Sequence, residues 1–440
     1  MLSSDDVGSI RKPSVLFCGL NMLKRSSRTV SLLIVSLVVA LAAVASWLTV
    51  DSLGLPLAGD EFNLAVWEVK NFPNKWLYEI GHLGSSGPSR EEGDAAIERY
   101  IALQSEVAAL EDELLHQRAA QSPGDDEDIL QRLSEKRDER DRLENKVEAV
   151  LEDRIADEAA SLGLERSPPL FPQIDWLFPP VDFEFDDPPR LLVISPRDRI
   201  RLQSADLLRS DLTLEDALHL EEEKQGDNVS ALVVGTGGVA TYPSIIPPME
   251  DYTDTLKLAA HEWLHQYLFF QPLGTHYYDS DALRTINETV ADIAGEEMGE
   301  LVAQRYPLPS PTGQPPEEQP PSAPPGDDTF FMSVMRQLRL DVDRLLGEGR
   351  VSEAEALMEE KRQYLADNGY FIRKINQAYF AFHGLYGTAP ASSSPIGPKL
   401  QELRRRVPAL AEFIRAVSKI TSEADLDRLL ASYGAEATLP

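Results

Sequence analysis

The chain has 440 residues, which is longer than one ordinary domain and indicates two or three. Its 73 acidic residues outnumber its 42 basic residues and give a net charge of −31, which opposes a general role in binding nucleic acid. The hydrophobic share of 42% and the charged share of 26% are typical of a globular protein. Because Cys18 is the only cysteine, an intrachain disulfide and a zinc site built from cysteines are both excluded.

Residues 31–50 form an apolar stretch without a charge, a glycine or a proline, and its length predicts a transmembrane helix. Residues 1–28 carry five basic and two acidic side chains, whereas residues 51–70 carry one basic and four acidic side chains. This asymmetry predicts a cytoplasmic tail over residues 1–30, a single pass through the membrane and an extracytoplasmic location for the rest of the chain. The alternative is a signal peptide that is cleaved after Ala45.

Residues 60–165 are predicted to form short juxtamembrane helices followed by an acidic helical hairpin. Between residues 94 and 118, apolar side chains recur at steps of four and three, as in a coiled coil. A second helix is predicted from residue 129 to about residue 160, antiparallel to the first. Residues 91–160 contain 22 acidic and 9 basic side chains. The hairpin is interpreted as a solvated spacer or, alternatively, as an arm that binds a protein partner.

Residues 190–305 are predicted to form the core of a zincin-type domain, with a small sheet and two long helices. Short apolar runs bounded by turn residues indicate the strands, and longer apolar segments indicate the helices. The predicted strands are residues 191–195 and 231–235, and the predicted helices are residues 252–270 and 282–304.

The prolines within residues 306–328 interrupt the chain after this core and indicate a flexible insertion. Residues 329–440 then return to helical patterns and are predicted to form a C-terminal helical subdomain. One helix of that subdomain is predicted over residues 371–386, where aromatic side chains are frequent.

Residues 261–265 read His-Glu-Trp-Leu-His, within a segment that has no helix-breaking residue. Positions four residues apart lie one above the other on a helix, so His261 and His265 can present both imidazoles to one metal ion. Glu262 would lie beside that ion and could take a proton from a bound water. This pattern indicates a Zn²⁺ site, which needs a third protein ligand and an open position for water.

The following helix offers the third ligand. Glu288 and Asp292 are again four residues apart, so both carboxylates lie on one face. Glu288 is predicted to bind Zn²⁺, and Asp292 is predicted to accept the outer ring N–H of a ligand histidine and so to fix its tautomer. His276, in the loop between the two helices, is an alternative third ligand.

The motifs HEWLH at residues 261–265 and NETVAD at residues 287–292 resemble those of the gluzincin branch of zincin metallopeptidases, the branch that includes thermolysin. The resemblance covers about residues 230–300. The family implies a tyrosine or histidine, outside the motif helices, that holds the developing oxyanion. Tyr379 and His383 share one face of a predicted helix and are the candidates, unless that face is an aromatic stripe of the core.

Together these features predict an α+β, mainly helical fold class. It combines a zincin-like metallopeptidase domain with an N-terminal transmembrane helix and an antiparallel helical hairpin. The predicted function is a membrane-anchored zinc peptidase that hydrolyses peptide bonds on the extracytoplasmic side, with Glu262 as the general base. The alternative is a catalytically inactive, zincin-like membrane scaffold that binds a protein partner through the hairpin.

Overall fold

The computed structural model describes residues 59–64, 66–67, 88–119, 126–165, 177–309 and 328–434. The chain divides into two units. One consists of residues 1–52 and 65–87, of which only Val66 and Trp67 are described. The other consists of residues 53–64 and 88–440, and every feature below belongs to it.

This larger unit is built mainly from α-helices, with two small sheets. The described helices are α1 (Arg90–Ala119), α2 (Asp126–Ser161), α3 (Leu214–Lys224), α4 (Tyr252–Phe269), α5 (Pro272–Thr275), α6 (Asp281–Arg305), α7 (Asp328–Gly347), α8 (Val351–Asp367), α9 (Gln377–His383), α10 (Ile396–Arg406), α11 (Leu410–Val417) and α12 (Glu423–Ser432). The described strands are β1 (Phe183–Phe185), β2 (Arg190–Pro196), β3 (Ser204–Leu208), β4 (Val229–Gly235) and β5 (Ser244–Ile246). One sheet is antiparallel, in the order β3-β2-β4, and the other pairs β1 with β5 in parallel.

For the part of the chain that the structure describes, the predicted fold class is wrong in including a transmembrane helix. Among the helices of the described residues, none combines the length and the apolar composition that crossing a membrane requires. The corrected class is a mainly helical fold with two small sheets.

Three predicted segments lie wholly or mainly outside the described residues. They are the cytoplasmic tail at residues 1–30, the apolar segment at residues 31–50 and the proline-rich insertion at residues 306–328, of which residues 310–327 are not described. The predicted location of the chain rests on the charges that flank the apolar segment, and it stays a prediction.

Helices α1 and α2 pack side by side and run in opposite directions. Arg154, late in α2, pairs with Asp94, early in α1, whereas Arg118, at the end of α1, pairs with Asp126, at the start of α2. Apolar side chains fill the seam between the second half of α1 and the first turns of α2: Val107, Leu110, Leu114, Ile129 and Leu133. Toward its other end, α2 joins the main core through side chains such as Ile155.

The main hydrophobic core surrounds α4 and α6. Helices α10, α11 and α12 contribute to it, together with the last turns of α2 and the sheet of β1 and β5. The side chains at its centre are inaccessible to water: Trp263, Leu264, Ile286, Val290, Met298 and Phe413. The indole N–H of Trp263 donates to the carbonyl oxygen of Pro179 at 3.0 Å. The two motif helices are therefore held from several sides.

The predicted strands at residues 191–195 and 231–235 are present as β2 and β4. β2 lies at the centre of the antiparallel sheet, with Leu192 opposite Val233 and Ile194 opposite Ala231. Their inward side chains pack against α3 in a separate small core. This sheet precedes α4 in the chain, and the loop after β4 leads toward the motif helices.

The helix predicted over residues 371–386 is shorter in the structure, because α9 begins only at Gln377. The residues before it run along the outer edge of β4. There the side chains of Arg373, Lys374 and Asn376 donate hydrogen bonds to strand carbonyl oxygens. Asn376 also caps α9, since its side chain accepts a backbone N–H of the first turn. These bonds stabilise an irregular segment where the pattern predicted a helix.

Candidate metal centre

Helices α4 and α6 approach each other closely where they cross. A Cβ atom at Gly295 would lie 2.8 Å from the Cα atom of His261, and one at Gly299 would lie 2.6 Å from the Cα atom of Lys257. A larger residue at either position would push the helices apart, because protein cores are closely packed and leave no space for an added side chain at such contacts. The two glycines therefore allow α6 to approach the turn of α4 that carries His261.

The side chains of His261, His265 and Glu288 converge between these helices. Their possible ligand atoms all lie within 4.8 Å of one another. Nε2 of His265 lies 3.1 Å from Nε2 of His261 and 3.3 Å from Oε2 of Glu288. Two ligand atoms that are each about 2.1 Å from a tetrahedral Zn²⁺ ion lie roughly 3.4 Å apart. The three donors therefore fit Zn²⁺ in both chemistry and spacing.

Each of the two histidines has a hydrogen-bond acceptor behind it. Oδ1 of Asp292 lies 3.2 Å from Nδ1 of His261, and Oδ1 of Asn287 lies 2.8 Å from Nδ1 of His265. When each Nδ1 donates its proton to these oxygens, Nε2 keeps the lone pair that a metal requires. Both acceptors belong to α6, so this helix fixes the tautomers of two rings on α4.

Glu288 is held by a tyrosine as well as by a histidine. The hydroxyl of Tyr277 donates to Oε1 of Glu288 at 2.5 Å, and Oε2 faces His265. The ring of Tyr277 packs against the guanidinium of Arg284, which lies 5.7 Å from the ring centroid. One oxygen of Glu288 therefore accepts a hydrogen bond from Tyr277, and the other faces His265, the neighbouring candidate ligand.

The charges of Glu288 and His265 stabilise each other inside the protein. Burial alone would raise the pKa of Glu288, but the positive charge of His265 and its hydrogen bond lower that pKa to about 2. Burial alone would lower the pKa of His265, but the Glu288 carboxylate raises it to about 9. A metal ion that binds at this point would displace the proton of His265.

Glu262 lies beside the two histidines, outside the ligand group, and its side chain is 5% exposed. Its carboxylate packs against the backbone of Gly238, where an added Cβ atom would lie 2.9 Å from Cδ of Glu262. Burial raises the pKa of Glu262, although the charges of the two histidines oppose that shift. The loop after β4, in which Val239 exchanges two backbone hydrogen bonds with Ile245, therefore covers one side of this carboxylate.

Tyr379 and His383, the predicted oxyanion residues, pack against each other, with ring centroids 4.2 Å apart. Burial raises the pKa of Tyr379 to about 12 and lowers the pKa of His383 to about 4, with no contribution from the carboxylates of the metal centre. Tyr379 also packs against the core formed by α7 and α8. The structure groups these two residues with each other and with apolar side chains.

Tyr386, just after α9, lies closer to the ligand group. Its ring centroid is 6.5 Å from that of His261. Burial raises the pKa of the Tyr386 hydroxyl, and the charges of Glu288, Glu262 and Asp292 raise it further. All three of these acidic residues belong to the two motif helices. Tyr386 is therefore an aromatic hydroxyl that lies within electrostatic range of the whole centre.

His276, the alternative third ligand, follows α5. Its Nδ1 lies 2.8 Å from the carbonyl oxygen of Pro272 and 3.1 Å from Oγ1 of Thr275. Within the described residues, the group of possible metal ligands that contains His261 and His265 has Glu288 as its third member.

The sequence patterns did not predict that three further residues lie at or near the centre: Asn287, Tyr277 and Tyr386. Asn287 lies inside the second motif, so the motif itself was a signal for it. Tyr277 lies in the loop before α6, and Tyr386 lies beyond the end of α9. Helical periodicity gives no information about side-chain direction at such positions.

Comparison of the chain with protein-family models, with curated proteins and with solved structures found no match in any of the three. The resemblance to gluzincins therefore stays a prediction that rests on the two sequence motifs.

Proposed function

We propose that this chain is a zinc-dependent peptidase of the gluzincin type. The observation that carries the proposal is the convergence of two imidazoles and one carboxylate within 4.8 Å, beside a buried glutamate. Two nitrogen donors and one carboxylate oxygen form the ligand set of zinc sites that catalyse hydrolysis. Sites that only support a fold are usually closed by four protein ligands.

Each of the three ligand residues would supply one donor atom to the ion. His261 and His265 offer Nε2, because their Nδ1 protons are accepted by side chains of α6. Glu288 offers Oε2, while Tyr277 holds its other oxygen. When Zn²⁺ is bound at such a site, it lowers the pKa of a water and polarises the carbonyl group of a substrate.

The remaining residues move protons and balance charge. Glu262 accepts a proton from the attacking water and later donates it to the nitrogen of the leaving amine. Its contact with the backbone at Gly238 shields it on one side from bulk water. Tyr386 donates a hydrogen bond to the substrate oxygen on which negative charge develops. Its ring lies 6.5 Å from that of His261, which supports this role.

The test compares Glu262→Gln with wild type and with Glu296→Gln. Gln keeps the size of the side chain but does not accept the proton, so zinc content should stay at one equivalent. Hydrolysis of a mixed peptide library, followed by mass spectrometry, should fall by roughly 10²–10⁴-fold. Glu296 is exposed on α6, so the same substitution there should leave both zinc content and hydrolysis unchanged.

Two results would contradict the proposal. If Glu262→Gln cleaves peptides within a few-fold of the wild-type rate, Glu262 is not the base. If the wild-type protein holds one equivalent of zinc and cleaves nothing in the library, the scaffold alternative is favoured. Loss of zinc from Glu262→Gln would instead make Glu262 a ligand and change the assigned roles.

A further inference from the structure

A second group of acidic side chains lies where the hairpin meets the parallel sheet. Glu144 and Glu148 are one turn apart on α2, and Glu184 belongs to β1. Their carboxylate oxygens lie within 4.8 Å of one another. Carboxylates at such distances repel one another unless a proton or a cation lies among them. The group shares no residue with the candidate zinc site.

The hydroxyl of Tyr100, on α1, is an independent sign of a ligand here. Its side chain is 1% exposed, and its oxygen has no hydrogen-bond partner among the described residues. The ring stacks on Phe185, with centroids 5.0 Å apart, and the backbone N–H of Phe185 donates to Oε1 of Glu148 at 2.8 Å. A buried hydroxyl without a partner is costly, and such groups usually indicate a missing ligand or water.

Two carboxylates of the acidic group act on that hydroxyl electrostatically. Burial, followed by the charge of Glu144 and then that of Glu148, raises the pKa of Tyr100. Burial and the charge of Glu148 also raise the pKa of Glu144, to about 8. Arg140 opposes both shifts, but its hydrogen bonds go to Asp141 and to Gln104, not to the group. The Tyr100 hydroxyl, which lacks a hydrogen-bond partner among the described residues, therefore lies within electrostatic range of two of the three carboxylates.

We propose that Glu144, Glu148 and Glu184 bind a Ca²⁺ ion, with the hydroxyl of Tyr100 as a further oxygen ligand. All four donors are oxygens, which favour hard cations, whereas the zinc site combines oxygen with imidazole nitrogen. Ca²⁺ accepts several carboxylates in irregular geometry, whereas Mg²⁺ prefers to keep its waters. This inference does not depend on the proposed peptidase activity.

Such an ion would join three elements of the fold. Tyr100 belongs to α1, Glu144 and Glu148 to α2, and Glu184 to β1, which pairs with β5. β5 in turn is followed by α4, the helix that carries the two histidines. Ca²⁺ would therefore fix the hairpin to the sheet that precedes the candidate zinc site.

The first test measures Ca²⁺ binding to the full-length protein by calorimetry, together with thermal unfolding with and without 1 mM CaCl₂. Wild type should bind one Ca²⁺ per chain in this site and unfold about 5 °C higher with calcium. Glu144→Gln and Glu184→Gln should each bind at least about 100-fold more weakly, because each loses a charged donor. The control is Asp138→Asn, which removes one charge from the exposed face of the same helix. It should bind Ca²⁺ like wild type.

A second measurement locates the ion. Tb³⁺ replaces Ca²⁺ among oxygen ligands and emits light when an adjacent tyrosine is excited. Wild type should show this emission, and Tyr100→Phe should lose most of it while it stays folded, because only the hydroxyl is removed. Emission should fall again when Ca²⁺ is added in excess.

The outcomes that overturn the proposal are distinct. If wild type binds no Ca²⁺ at millimolar concentration, the three carboxylates do not form a cation site. If Asp138→Asn weakens binding as much as Glu144→Gln does, the binding reflects the net charge of −31 and not this site. If Tyr100→Phe keeps the full emission, the ion lies elsewhere.

Discussion

Two pairs of packed helices use charged side chains in opposite ways. Between α1 and α2, Arg99 and Glu139 form an ion pair whose side chains are 40% and 41% exposed. Between α4 and α6, His265 and Glu288 are only 14% and 11% exposed. Water and salt screen the first pair, whereas the second depends on its protein neighbours for balance. The degree of burial of an ion pair, more than the number of charged side chains, therefore decides how strongly the pair affects stability and pKa values.

The largest effect is expected at Glu288, because there the charged group is itself the proposed metal ligand. Glu288→Ala leaves only two protein donors, so stoichiometric zinc should be lost. Asp292→Asn keeps an acceptor behind His261 but loses the charge, so the dissociation constant for zinc should rise by roughly 10–100-fold. Competition with a chelator measures both. If Glu288→Ala keeps its zinc and His276→Ala loses it, the third ligand is His276.

A large effect is also expected at Arg154, the buried exception within the hairpin. Its side chain is 4% exposed, pairs with Asp94 and donates to the hydroxyl of Tyr252 at 2.8 Å. Arg154→Met removes the buried cation and leaves Asp94 with the exposed Arg90, at 3.7 Å, which should reduce the free energy of unfolding by about 3–5 kcal/mol. Urea denaturation measures the change. Adding Asp94→Leu to this variant should recover much of the loss, and failure to recover it would mean that packing, not charge, dominates.

The sequence predicted contacts along one helix better than contacts between helices. His261, Glu262 and His265 have fixed relative positions once α4 forms, because the helical period sets them. Their relation to Glu288 depends on how α6 crosses α4, and that depends on the backbone contact at Gly295. A glycine in a helix is usually a weak point, so its role here was not evident from the sequence.

The region around α9 shows why the position of Tyr386 beside His261 was harder to predict. The pattern of residues 371–386 is helical, but Arg373 and Asn376 bind the edge of β4 and delay the start of the helix. The helix then ends at His383, so Tyr386 follows the path of a loop. That loop is fixed by the backbone N–H of Gly387, which donates to a threonine on α6. Contacts between distant segments, not local pattern, decide which aromatic residue lies near the centre.

Glu221 is a buried carboxylate that is not a candidate metal ligand. Its substitution should reduce the free energy of unfolding by an amount between the losses expected at Arg154 and at Arg99. Its side chain is 3% exposed and accepts hydrogen bonds from Arg373, Lys374 and the backbone N–H of Val233. Burial alone would raise the pKa of Glu221, but the Arg373 hydrogen bond, the Val233 N–H and the charge of Lys374 lower it below 4.5. Glu221→Gln should therefore reduce the free energy of unfolding by about 1–3 kcal/mol at pH 7.

The sign of the pH dependence at Glu221 follows from that lowered pKa. As the pH falls, the unfolded chain takes up this proton before the folded chain does, so the stabilising contribution is complete above about pH 4.5 and is lost below it. Urea denaturation of wild type and Glu221→Gln from pH 7 to pH 3.5 should show the two stabilities converging in acid. A constant difference over that range would mean that the loss of packing, and not of charge, causes the effect.

The smallest effect is expected at Arg99, which is the exposed counterpart of Arg154 in the same helix pair. Arg99 donates to Glu139 at 2.7 Å and to Glu106 at 3.1 Å, but all three side chains are about two-fifths exposed. Arg99→Gln should reduce the free energy of unfolding by less than about 1 kcal/mol, and 0.5 M NaCl should reduce the difference further, because exposed pairs are screened. Urea denaturation at low and high salt measures both. A loss as large as that of Arg154→Met, and insensitive to salt, would mean that the hairpin depends on its surface charges, and the contrast between the two helix pairs would not hold.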